Sequence, residues 1–287
     1  MASPGLMRIA FHRPRLTGFA ISSRTLSGFR ISPQQKHWWN ARFHVNCSSV
    51  AAVEELSSRQ SGQVAVFVDI LLEWNQKMNL TAVTERGAMM DRHIADSLSL
   101  LPTIEGAYAA HCNGSEGGES VKVVDIGSGA GLPGIVLAIA RPAWQLTLLE
   151  SLQKRCDFLE HVAKEAGLTN VKVLRSRAED AGKDIAHRET YDVAVARAVA
   201  EMRVLAELCL PLVRVGGILV AAKGPNPEEE VEAAKTAVNL LGASIVTLSR
   251  VDSQGPLGQR TAVVCLKDRP TPAKYPRRAG MPNKRPL

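Results

Sequence analysis

The chain has 287 residues, enough for one large or two small domains, and its 45% apolar content can fill a substantial core. No apolar run reaches the length of a bilayer span, and five cysteines (Cys47, Cys112, Cys156, Cys209 and Cys265) without any C-x-x-C pair argue against both a zinc site and a disulfide scaffold. The formal net charge of +7 does not by itself imply a nucleic-acid surface, because all of it lies in the first fifty residues and the remainder sums to zero.

Residues 1–50 hold seven Arg or Lys, seven Ser and no Asp or Glu, the composition of an organelle transit peptide. Residues 1–47 are therefore expected to be a leader outside the fold, cut after Cys47 at Val-Asn-Cys-Ser. The stretch resembles a stromal processing site, which favours the chloroplast over the mitochondrion. A basic arm touching RNA is the alternative. From 51 to 104 the pattern is helical, with Val64, Val66, Phe67, Ile70, Leu71 and Trp74 at helix spacing. Asn79-Leu80-Thr81 interrupts it. A second helix from about Ala88 to Leu101 turns Met89, Met90, Ile94, Leu98 and Leu101 inward, and Pro102 is expected to end it. His93 and Asp96-Ser97 share one face of that helix. They are open to an acid–base reading, but a hydrogen-bonded knot with Asn79 and Thr81 is favoured. Residues 105–120 contain four glycines and read as a linker.

From Val121 onward strands and helices alternate, the signature of a doubly wound sheet. Strands are expected at Val121–Ile126, Gln145–Glu150, Val171–Arg175, Tyr191–Ala196, Gly217–Lys223, Ser244–Arg250 and Ala262–Lys267. Helices are expected at about Leu132–Ala140, Leu152–Ala166, Glu201–Leu210 and Glu228–Leu241. The last two strands have no helix between them and can pair antiparallel. The fold class is thus α/β: a Rossmann-like, seven-stranded, mostly parallel sheet over 121–267 with an N-terminal helical extension, the arrangement of S-adenosylmethionine-dependent methyltransferases. Residues 268–287 form a basic, proline-rich tail that is not expected to pack as a helix or strand.

The first strand runs into Asp125-Ile-Gly127-Ser128-Gly129-Ala-Gly131-Leu132, and the second ends at Glu150-Ser151. Glycines at alternate positions let backbone approach a ligand at a helix N-terminus. Gly129, Gly131 and Gly134 formally satisfy the dinucleotide pattern, with Glu150 placed to meet a ribose. Asp125 argues otherwise, since a carboxylate there repels a pyrophosphate and suits a cationic ligand such as S-adenosylmethionine. A satisfied turn without ligand is the bland alternative.

At the third strand end, Ala178 backbone and the Glu179 side chain are placed to meet the adenine; a helix-opening acid favoured by the helix dipole is the alternative. At the fourth, Ala196-Arg197-Ala198 marks where a methyl acceptor would lie, and Arg197 is a candidate for positioning substrate or cofactor; a surface ion pair with Glu201 is the simpler reading. No Asn-Pro-Pro-Tyr-like tetrapeptide is present, which favours an acceptor with an accessible lone pair. Lys223, and Arg277 and Arg278 in the tail, are candidates for RNA backbone contact. No metal site is expected.

Several blocks in order, Asn79–Val83 (NLTAV), Arg92–Ser97 (RHIADS), Asp125–Ile135 (DIGSGAGLPGI), Leu148–Arg155 (LLESLQKR) and Ala196–Ala198 (ARA), make residues 54–267 resemble the bacterial small-subunit rRNA methyltransferase G family, formerly glucose-inhibited division protein B. The resemblance implies methyl transfer from S-adenosylmethionine to N(7) of a guanine in 16S-type rRNA. It also implies that Gly127, Leu132, Ala178, Glu179 and Arg197 line the cofactor site. The expected partner is small-subunit rRNA or the ribosomal subunit, with no membrane, and the chain is expected to be a monomer. A methyltransferase acting on another substrate and a ribosome-assembly factor with a vestigial cofactor site are the rival readings.

Overall fold

The computed structural model describes residues 56–112, 120–197, 200–255 and 258–287; the leader, the glycine-rich stretch 113–119 and Ala198 lie outside them. Strand-length apolar runs form β1 (Lys122–Ile126), β2 (Gln145–Glu150), β3 (Val171–Arg175), β4 (Tyr191–Arg197), β5 (Val213–Lys223), β6 (Ala243–Gly255) and β7 (Gly258–Lys267). They make one seven-stranded sheet in the order β3-β2-β1-β4-β5-β7-β6. The first five pair parallel, while β7 lies antiparallel between β5 and β6. Strand order reverses between β1 and β4, so the crevice of this sheet opens at their carboxyl ends.

Side chains alternate across the strands, so the sheet needs cover on both faces. Val123, Leu146, Val193 and Ile218 join one buried cluster, and Val124, Leu149, Ala194 and Leu219 the other. On the first face the cover comes from α1 (Ser58–Met78), α2 (Arg86–Met89), α3 (Asp96–Leu98), α4 (Leu101–His111), α5 (Gly134–Ala140) and α6 (Gln153–Glu165). A π-helical turn, Met90–Ala95, joins α2 to α3. The helical extension is thus a layer of the same core. Phe67, Leu71, Met89 and Ile94 are fully buried with Ile135 and Leu148. Ser57 and Gln60 form a capping box at the start of α1, and Gln60 Nε2 also donates to the terminal carbonyls of Ile139 (2.9 Å) and Ala140 (3.1 Å) in α5.

On the second face lie α7 (Ala178–Ala181), α8 (Met202–Cys209), α9 (Glu228–Leu240) and α10 (Met281–Lys284). Among the described residues no helix is long and apolar enough to cross a membrane.

The structure departs from the fold expected of the sequence chiefly at Pro102 and in the tail. Pro102 does not end a helix: it sits in the first turn of α4, where its missing N–H costs nothing, and α4 runs through Gly106 to His111 into the expected linker. Leu101 and Ile104 supply the buried face that the glycine count concealed. The tail is also packed. Tyr275 is buried, Arg188 donates to the carbonyls of Thr271 (2.7 Å) and Tyr275 (2.8 Å), and α10 follows a left-handed Gly280. Smaller differences lengthen β5, which starts at Val213 opposite Tyr191 of β4, and β6 and β7, whose antiparallel pairing extends to Gly255 opposite Gly258.

Candidate functional site: the glycine loop and the β1–β4 crevice

After β1 the chain turns through Gly127, Gly129 and Gly131, all with positive φ (70°, 53° and 80°). Glycine is required at Gly131 on two grounds, since a Cβ there would also stand 2.7 Å from Ile135 Cγ1. The loop amides are turned inward. Gly127 N and Ser128 N donate to Leu149 O, and Gly131 N and Leu132 N to Ser128 O. Gly129 N donates to Glu150 Oε2 (3.1 Å) and Gly134 N to Asp125 Oδ2 (3.0 Å). A dinucleotide loop holds its pyrophosphate on such amides. Here they already have partners, and a carboxylate occupies the first amide of α5. This argues against the dinucleotide reading and corrects the expectation that these N–H groups face a ligand.

Asp125 is 1% exposed, and burial pushes its carboxyl up to about 6 against the pull of the Gly134 amide and Arg197. Its Oδ1 is the one fully buried side-chain polar atom without a partner among the described residues. An orphaned carboxylate oxygen beneath a glycine loop is a fitting counter-group for a cationic ligand. Glu150, at the end of the neighbouring β2, accepts from Ser151 N (2.7 Å) and Leu152 N (2.9 Å) through Oε1 and from Gly129 through Oε2. These bonds aim the carboxylate across the loop, where Arg155 Nη1 lies 3.8 Å from Oε2. Ser128 is buried and donates to Asp125 O, so its hydroxyl stitches the turn; Ser151 is exposed. Leu132 is buried beside the loop.

At the end of β4, Arg197 is held by Asp96 of α3 (Nη1 to Oδ2, 3.0 Å), not by Glu201, which pairs with Arg203 instead. Asp96 Oδ1 accepts from Arg260 Nε (2.9 Å) and Ser253 Oγ (2.8 Å) as well. One buried carboxylate thus joins the N-terminal layer, β4 and the β6–β7 pair. The sequence reading quoted Asp96 only as part of a helical knot and missed Arg260, which lies just outside the strand it expected. Nothing in one sequence marks a pairing 164 residues apart.

The expected knot around His93 is present in part. Its Nε2 lies 2.6 Å from Thr81 Oγ1, while Asn75, not Asn79, ties the turn through Thr81 N and O. Asn79 caps α1 in the left-handed region. Burial and the Arg197 charge lower His93 to about 4, so it is neutral near pH 7. Ala178 opens α7, and Glu179 is buried with Oε1 accepting from Gly280 N of the tail (2.8 Å). Two candidates for RNA contact are occupied internally. Lys223 Nζ meets Ala200 O and Glu230 (both 2.6 Å), and Arg277 forms a fork on Glu207. Arg278 is exposed. No cluster of metal-binding side chains occurs among the described residues.

A seven-stranded sheet with its single antiparallel insertion at β7, opened between β1 and β4 over a loop hostile to phosphate and floored by Asp125, is an S-adenosylmethionine-dependent methyltransferase fold of the Rossmann-like class. The model of the family described as rRNA small subunit methyltransferase G matches residues 60–256, and the chain belongs to that family. Among its curated relatives, the Symbiobacterium thermophilum ribosomal RNA small subunit methyltransferase G is 47% identical over 229 residues, covering 78% of this chain and 89% of its own length. The protein of the same description from Alkaliphilus oremlandii is 45% identical over 233 residues, covering 81% and 93%.

Proposed function

We propose that this chain transfers a methyl group from S-adenosylmethionine to N(7) of a guanine in small-subunit rRNA. Family membership over most of the chain carries the reading, and the unpartnered Asp125 oxygen at the end of β1, beside a loop whose glycine amides are paired internally, supports the cofactor. The cofactor supplies an electrophilic methyl on a sulfonium. Gly127, Gly129 and Gly131 let the chain lie close against it, Leu132 forms the apolar wall, and Asp125 and Glu150 face its ammonium and ribose ends. Ala178 and Glu179 border the adenine end.

The guanine N(7) lone pair lies in the ring plane and carries no proton near neutral pH, so attack on the methyl needs no general base. The protein contributes proximity and alignment. Arg197, fixed by Asp96 at the end of β4, is placed to hold a carbonyl or phosphate of the acceptor or the carboxylate of the cofactor. The neutral His93 belongs to the scaffold under the site.

The proposal extends to an organelle, the chloroplast before the mitochondrion, on the acid-free, Arg- and Ser-rich composition of residues 1–47 as a transit peptide. Mapping N(7)-methylguanine in chloroplast and mitochondrial rRNA of a knockout line tests both parts. One site lost from chloroplast 16S rRNA is expected; unchanged maps in both organelles would remove the assignment.

A further inference from the structure

The basic tail, which the reaction as described does not use, ends on the cofactor site. Gly280 N donates to Glu179 Oε1 at 2.8 Å, and Glu179 is 5% exposed, with Arg177 Nε 3.8 Å from its other oxygen. The strand of chain that delivers Gly280 is anchored just upstream. Arg277 forks onto the fully buried carboxylate of Glu207 (Nε to Oε1 2.9 Å, Nη2 to Oε2 2.5 Å), and its backbone N donates to Oε1 as well (2.8 Å). Pro276 lies against Gly182 at the end of α7, so close that a Cβ on Gly182 would stand 2.9 Å from Pro276 Cγ. Arg188 binds Gly182 O (2.7 Å) and Tyr275 O (2.8 Å) together, tying α7's end to the tail.

We infer that the tail is a strap that positions the Glu179 carboxylate at the adenine end of the cofactor site, with Gly280 as the positioning residue and the Arg277–Glu207 fork as its anchor. The inference rests on the reading of Glu179 as a cofactor contact. A carboxylate held by an N–H on one oxygen presents the other in a fixed direction, and loss of that charge-assisted bond frees it to rotate away. The same geometry commits the Nε and Nη2 edge of Arg277 to Glu207, so that this residue acts as an anchor of the tail.

The test shortens the full-length chain after Arg278, which removes Gly280 and α10 but leaves Glu207 paired. S-adenosylhomocysteine affinity is measured by calorimetry, and KM for S-adenosylmethionine and for small-subunit RNA by methyl incorporation. The expected result is an affinity roughly tenfold weaker and a matching rise in KM for the cofactor alone, with kcat and KM for RNA unchanged. In the Glu179→Ala background, which has no acceptor for Gly280 N, the same truncation should have little further effect. Unchanged cofactor affinity with a raised KM for RNA would overturn the strap in favour of an RNA arm, and unchanged values throughout would overturn it outright. If the full-length chain itself failed to bind S-adenosylhomocysteine, the cofactor reading would fall first.

Discussion

Asp125 carries two opposed demands. Buried with one oxygen unpaired, it weakens the free protein; in the proposed reading it is the group that faces the cationic end of the cofactor. Its pKa is raised from 3.8 to about 6, so the folded chain keeps a proton that the unfolded chain has lost, and the stability this gives is lost as pH rises from about 4 through 6. Asp125→Asn should therefore be more stable than the parent by about 1–2 kcal/mol at pH 8 and not at pH 4, with the new amide's unmet N–H offsetting part of the gain. Thermal melts across pH check this. The same substitution should weaken S-adenosylhomocysteine binding and abolish the parent's loss of affinity below pH 6, which approaches tenfold per unit. His93 has the opposite character. General acid–base catalysts contribute about 10²–10⁴-fold, whereas His93→Ala should lower the melting temperature and leave the single-turnover rate at saturating RNA within about threefold. A hundredfold slower transfer step in a variant of normal stability would make it a catalyst.

Each element around the site is shaped by what surrounds its ends. The loop between β1 and α5 was legible because its residues are local: three glycines, an acid before them and an acid one strand later. The direction of its amides was not, since donors aimed at Leu149 O and Glu150 have the same sequence as donors aimed at a phosphate. Gly131→Ala combines a positive φ with a contact inside van der Waals range, and should cost about 2–3 kcal/mol in a urea titration while loosening the loop. Helix α4 and the tail escaped the sequence reading for one reason. Pro102, Gly106 and the five prolines of 267–287 were weighed as local breakers, whereas burial of Ile104 and Tyr275 and the Arg277–Glu207 fork decide the outcome through partners distant in sequence. The alternation of strands and helices, by contrast, reads directly from periodicity, and the sheet follows it.

Across the molecule, Asp96 links parts that the sequence presents as separate. The N-terminal layer supplies the carboxylate, and β4 and β7 supply the cations, Arg197 and Arg260. Asp96→Ala leaves two buried guanidinium groups unpaired and should cost about 3–5 kcal/mol of stability by denaturant titration, with Arg197 no longer fixed at the crevice. A change below 1 kcal/mol would mean that the N-terminal layer and the sheet hold together without it. Shape, loop and clamp converge on one reaction, and a single measurement addresses it. The chain is incubated with isotopically labelled S-adenosylmethionine and small ribosomal subunits from a strain lacking its own rRNA small subunit methyltransferase G, and the rRNA is then digested to nucleosides and resolved by mass. The account predicts label in 7-methylguanosine at one site per subunit, sharply reduced with Asp125→Asn at limiting cofactor; label in any other nucleoside, or an unlabelled rRNA from a protein that binds the cofactor, would contradict it.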